Sequence, residues 1–184
     1  MASNSRRQIE AWLKGIDVSG SVIDVGGLFM PVRGRTKTWD VISYEILDVK
    51  ESRNGIVSNY VVDLNRTVPL PFNKYDNAFL VEVTDHLWNP IQAFQNINTM
   101  LKSGGMLYVS SNFLFPHHTG FDCVRLTVTG LRKILTETDF DVLDVKPRYA
   151  TDALKLQDVM GKESKVDYAK GEIGYMVTAQ KKWT

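Results

Sequence analysis

A single cysteine, Cys123, stands in the whole chain of 184 residues. One thiol excludes an internal disulfide and any cysteine-based zinc cluster, and it suits a reducing, cytoplasmic-type compartment. Charge of one sign is missing as well: 22 Lys and Arg against 21 Asp and Glu leave a formal charge of +1. No global basic field asks for nucleic acid, and no acidic tail is seen. Apolar runs are short. None approaches the ~20 residues of a membrane span, and the first residues show no signal-peptide core. Repeats, linkers and low-complexity stretches are absent too. What remains, 43% hydrophobic and 23% charged residues, is the composition of one globular domain over 1–184.

Within that background the most informative stretch is Val22-Ile23-Asp24-Val25-Gly26-Gly27. β-Branched residues bounded by Gly20 and a glycine pair read as a buried strand over 21–25. Glycines straight after a strand let the backbone turn sharply and let a ligand come close. In an open α/β sheet, the carboxyl ends of the strands are where ligands bind.

The rest of the chain alternates. A helix is expected over 5–15, with Ser5 as its cap and Ile9, Trp12 and Leu13 on one face. Leu28 to Trp39 holds Pro31, Gly34, Thr36 and Thr38, a poor composition for the crossover helix that parallel strands usually need. An irregular loop carrying Arg33, Arg35 and Lys37 is expected there. Tyr44 to Asp48 reads as the second strand, and Asp48 falls 22 positions after Gly26. In dinucleotide folds an acid about 20 residues beyond the glycine turn accepts hydrogen bonds from ribose hydroxyls. Glu45, on the opposite side of the same strand, is the weaker candidate. Tyr60 to Asp63 and Asp76 to Val83 are further strands that close on acids or carry them. Each acid also suits capping a following turn.

Pro90 to Leu101 has apolar residues at helical spacing and a Gly104-Gly105 stop, and Met106 to Ser110 is the fifth strand. Thr127 or Thr129 caps a helix over 131–138, and strands over 140–145 and 175–180 finish the chain. The thirty residues between them, with a helix over 153–160, form a lid-like or binding insertion. Alternating strands and helices argue a mostly parallel α/β sheet.

The order of features resembles the class I S-adenosylmethionine-dependent methyltransferases, in particular the small branch labelled type 11. The carrying residues are VIDVGG (22–27), LDV (47–49), VVDLNRTVPLPF (61–72), YDNAFLVEVTDHLWNP (75–90) and LKSGGMLYVSS (101–111). The resemblance implies a single-domain Rossmann-like fold, with a seven-stranded, mostly parallel sheet and an antiparallel last strand. It implies S-adenosylmethionine as cofactor and a cofactor half over about 20–111. Asp24, Gly26 and Gly27 would face its methionine part, Asp48 the ribose, Asp63 and Leu64 the adenine, and Glu82, or the Val81 backbone, the methionine and sulfonium. Substrate-side segments would be 112–125 and 148–172. Residues 115–131 also resemble a block of members that methylate sugars or other small hydroxylated molecules. The acceptor side would then take a small molecule or sugar, with His117, His118 or Asp122 as a base for its hydroxyl. His86, in the turn after the fourth strand, is expected to be structural. No metal site is expected, because two adjacent histidines lack a positioned third ligand.

One departure stands out. The family's glycine turn reads acid-x-Gly-x-Gly-x-Gly, whereas Leu28 and Met30 occupy the second and third glycine positions here. Either the turn follows another path, with Arg33 or Arg35 meeting the cofactor's carboxylate, or the chain is a non-catalytic binding module. A nicotinamide-dependent oxidoreductase would share the turn and Asp48, but the glycine spacing is not G-x-G-x-x-G.

Overall fold

The computed structural model of the protein describes residues 3–116, 120, 122–150 and 171–183. The chain begins with helix α1 (Asn4–Leu13), capped by Ser3, whose hydroxyl accepts from the Arg6 N–H at 3.2 Å. Its apolar stripe is the expected one: Ile9, Trp12 and Leu13 are buried. Strands β1 (Asp17–Val25) and β2 (Thr38–Asp48) follow, then a small hairpin of β3 (Ser52–Arg53) and β4 (Ile56–Val57). Next come β5 (Tyr60–Val61), β6 (Tyr75–Val81), a 3-10 turn (Thr84–His86), α2 (Pro90–Met100) and β7 (Leu101–Asn112). Helix α3 (Val128–Glu137) and strands β8 (Phe140–Tyr149) and β9 (Glu172–Lys181) complete the described elements.

Seven strands form one sheet in the order β5-β2-β1-β6-β7-β9-β8. Strand β9 runs antiparallel to both β7 and β8, and the other pairings are parallel. One face is covered by α2 and α3, through Phe94, Ile97, Met100, Leu131 and Leu135. The other face is covered by α1, whose Ile9, Trp12 and Leu13 cluster with Val22, Phe79 and Tyr108.

Among the described residues no helix crosses from β1 to β2, from β2 to β5, or from β5 to β6. Pro31 and Gly34 interrupt the first crossover as the sequence suggests, and the β3–β4 hairpin fills the second. Strand lengths differ from the sequence reading. Strand β2 starts at Thr38 rather than Tyr44, because its early residues are half exposed and show no continuous apolar run. Strand β7 starts at Leu101, and Gly104 and Gly105 lie inside it rather than stopping α2. Strand β6 ends at Val81, and Glu82 turns the chain with φ +60°. The expected helix over 153–160 lies outside the described residues.

Candidate active site

The parallel strands β1, β2 and β6 end side by side, and a cavity of about 380 Å³ opens over their carboxyl ends. Its floor is apolar, made by Val25, Leu47, Val62 and Val81. Gly26 leaves β1 at φ +75° with its N–H donating to the Leu47 carbonyl at 2.8 Å. A Cβ there would stand 2.5 Å from Val83 Cγ2, so the turn closes tightly against the segment after β6.

Three acids are spaced along this floor. Asp48 ends β2, and its Oδ1 accepts from the Lys50 N–H at 3.1 Å, which leaves Oδ2 open among the described residues. Asp63 follows β5; its Oδ1 caps its own turn by accepting from the Asn65 N–H and Nδ2 at 3.0 and 2.8 Å. That turn is anchored from α2, where buried Asn96 donates to the carbonyls of Leu64 and Arg66. Glu82 forms a closed ring with β7: its N–H donates to Ser110 Oγ, and Ser110 donates to Glu82 Oε1, each at 2.8 Å. Oε1 also meets the guanidinium of Arg148 at 3.1 Å. Arg148 is fully buried on β8 and donates to Ser5 Oγ, the Ser111 carbonyl and Asn112 Oδ1 as well. One oxygen of Glu82 is thus fixed from behind, and the carboxylate stands at the cavity wall.

Gly26, Asp48, Asp63, Leu64 and Glu82, five residues singled out by sequence, line one cavity. Others stand elsewhere. Asp24 is 1% exposed and does not line it. Its Oδ2 accepts from the Val32 N–H at 2.8 Å and from the Tyr44 hydroxyl at 2.5 Å, so it holds the 28–37 loop onto β2. Burial pushes its carboxyl up to about 6, against the two hydrogen bonds that favour the charge. Gly27 packs on that carboxylate; a Cβ there would meet Asp24 Cγ at 2.5 Å. Arg33 lies over the Tyr44 ring at 6.0 Å and does not line the cavity, whereas Arg35 does. Glu45 accepts from Lys74 Nζ at 2.6 Å and also meets the hydroxyls of Tyr60 and Tyr75, a structural knot away from the cavity. Asp122 pairs with Arg125, which reaches on to Asp85 at 3.3 Å, and it lines a second, shallower hollow with Phe115 and Cys123. His117 and His118 lie outside the described residues. His86 is exposed and lines the main cavity.

Leu28 resolves the odd glycine turn. Its side chain is 2% exposed and points into the protein rather than into the cavity, while Met30 sits at the cavity wall. No side chain at position 28 lines the cavity. Sequence reasoning missed Arg6 of α1, which also lines the cavity. No signal marked it, since it lies twenty residues before the glycine turn and arrives only through helix packing.

A family model described as a methyltransferase domain matches residues 38–109. That span runs from the start of β2 into β7 and leaves out β1 and the altered glycine turn. Over those residues the chain is similar to a methyltransferase domain. Solved structures agree in fold. An S-adenosylmethionine-dependent methyltransferase from Mesorhizobium loti superposes with a TM-score of 0.67 at 15% identity, covering 96% of this chain and 98% of that one. A methyltransferase described as putative, from Bacillus halodurans, gives 0.65 at 16%, covering 95% and 98%. The [4+2]-cyclase SpnF gives 0.62 at 18%, covering 100% and 84%. No curated protein matches the sequence.

S-adenosylmethionine is the cofactor on which the Mesorhizobium loti protein depends, and the residues lining this cavity fit it. An apolar slot with carboxylates at its rim suits a nucleoside: an open Asp48 oxygen matches ribose hydroxyls, and Leu64 with Val49 offers an apolar bed for a base. When bound, the cofactor supplies an electrophilic methyl group on a sulfonium. Among the described residues no cluster of His, Cys, Asp and Glu suits a metal ion, and no helix is long and apolar enough to cross a membrane.

Proposed function

We propose that the methyltransferase domain transfers a methyl group from S-adenosylmethionine to a hydroxyl of a small molecule or sugar. The observation that carries this reading is the row of Asp48, Asp63 and Glu82 along one apolar cavity over the ends of β2, β5 and β6. Asp48 takes the ribose, Asp63 and Leu64 the adenine end, and Glu82 the amino-acid and sulfonium end. The acceptor side is formed by 112–125 and 148–172, of which 117–119, 121 and 151–170 lie outside the described residues. His117, His118 or Asp122 serves as the base, and holding nucleophile, methyl and sulfur in line supplies most of the acceleration. Asp122 has to leave Arg125 to take that role, which favours the two histidines.

The test incubates the protein with methyl-labelled S-adenosylmethionine and a panel of hydroxylated small molecules and sugars. Label in an ether product supports the reading. Label appearing only on amines, or binding of the cofactor without transfer to any panel member, overturns the hydroxyl assignment. The second outcome is what a binding module would give.

A further inference from the structure

With no helix after β1, the site lacks the free N–H groups that a helix N-terminus offers an anion. A different source of positive charge stands at the same end of the cavity. Arg6 of α1 and Arg35 of the 28–37 loop both line it, and they share a single carboxylate. Glu10 Oε1 lies 2.7 Å from Arg6 Nε and 3.0 Å from Arg35 Nη2, and Glu10 Oε2 lies 3.2 Å from Arg35 Nε. Two guanidiniums against one carboxylate leave one positive charge uncompensated within this group. The side chains are only 22%, 14% and 32% exposed for Arg6, Arg35 and Glu10, so water screens that charge incompletely.

The two arginines differ in what they have left to give. Arg35 donates to Glu10 twice and to the carbonyls of Met30 and Pro31, which uses four of a guanidinium's five N–H groups. It is a clip that shapes the loop. Arg6 donates to Glu10, and its Nη2 lies against the Met30 sulfur, a weak acceptor. Three of its N–H groups have no acceptor among the described residues. Burial and the nearby Arg35 both pull Arg6 below its usual value, and the carboxylates of Glu10 and Glu82 push the other way. Glu82 lines the same cavity. A cation with spare donors on one side and a carboxylate on the other match the two charges of an α-amino acid. Helix α1 is held in place for this purpose by Gln8, which exchanges hydrogen bonds with the Tyr149 backbone at 2.8 and 3.0 Å, and by Ser5 on Arg148.

We propose that Arg6, backed by Arg35, is the carboxylate-binding site of this cavity and takes the carboxylate of the cofactor's methionine part. The proposal rests on the cofactor reading above. Its test compares S-adenosylmethionine with its decarboxylated analogue, which keeps the ammonium, sulfonium and nucleoside, by calorimetry on wild type, Arg6→Gln and Arg6→Lys. Wild type is expected to prefer S-adenosylmethionine at least about tenfold, the scale of a charge-assisted hydrogen bond. Arg6→Gln is expected to lose that preference while binding the decarboxylated analogue as wild type does, and Arg6→Lys to fall between. An unchanged preference in Arg6→Gln overturns the proposal, as does a wild type without preference. Equal loss of both ligands with an unchanged melting transition overturns it too, since Arg6 would then act through something other than the carboxylate. Binding of neither ligand to wild type overturns the cofactor reading itself.

Discussion

At the scale of single residues, identity alone did not separate the acids of this chain. Asp24, Asp48 and Asp63 all sit at or beside strand ends, yet their surroundings assign them different work. Asp24 is closed off beneath Tyr44 and Val32, so its ionisation bears on stability. Burial raises its folded pKa to about 6, above the ordinary carboxyl value near 3.9. A raised folded value stabilises most below the unfolded pKa, and that stabilisation is lost as pH rises through about 6. Wild type should therefore lose about 2 kcal/mol relative to Asp24→Asn between pH 4 and pH 7, at no more than about 1.4 kcal/mol per pH unit. Denaturant melts of both proteins across that window check it, and a constant difference contradicts it. The motif acid was legible in the sequence as important, but its role was not. Nothing in the spacing announces that Tyr44, twenty residues on, caps it from the next strand.

Elements carry the site by bracing one another. Arg148 of β8 reaches Glu82 only because Gly174 faces it across the β8–β9 pair. A Cβ at 174 would stand 2.5 Å from Arg148 Nη2 and closer still to the Ser111 carbonyl, with backbone on one side and a buried cation on the other. Gly174→Ala should cost about 1–3 kcal/mol, the range for overpacking a filled interior, measured as a lowered denaturation midpoint. An unchanged midpoint would mean that β9 gives way easily. Helix α2 braces the 63–66 turn in the same manner. Asn96→Leu strands the buried carbonyl of Leu64 and the half-buried one of Arg66, and should cost about 1–3 kcal/mol together with a weaker cofactor affinity. Equal affinity would place the 63–66 turn outside the binding work.

Element order was legible because the apolar periods switch cleanly between two and 3.6, and the missing helix was legible from Pro31 and Gly34. Strand ends were less so. Gly104 and Gly105 look like a helix stop, but Gly105 sits in β7 where a Cβ would press on the Lys102 and Asp76 carbonyls. The bracing residues Arg148, Asn96 and Arg6 were not legible, since Arg148 meets Glu82 across 66 positions, Asn96 meets Leu64 across 32 and Arg6 meets Met30 across 24.

At the scale of the whole molecule, three crossovers without helices leave a lean domain whose binding end is built from loops, α1 and strand ends. Such a site is stabilised when filled. At a hundredfold excess over the dissociation constant, S-adenosylhomocysteine should stabilise the fold by about 2.7 kcal/mol, seen as a raised melting transition. Turnover belongs to this scale too, because the proposed function draws its acceptor side from 112–125 and 148–172 and its cofactor side from the residues before them. Alanine at His117 or at His118 should lower the rate by about 10²–10⁴ if that histidine is the base, with cofactor affinity kept. Unchanged rates at both, and at Asp122, mean that this segment supplies no base.

The most direct measurement is a calorimetric titration of S-adenosylhomocysteine into wild type and Asp48→Ala. The cavity over β1, β2 and β6 predicts one site per chain in wild type, weakened by about 1.5–3 kcal/mol in the variant through loss of the ribose hydrogen bonds. No binding to wild type, or equal affinity in the two proteins, would contradict the account.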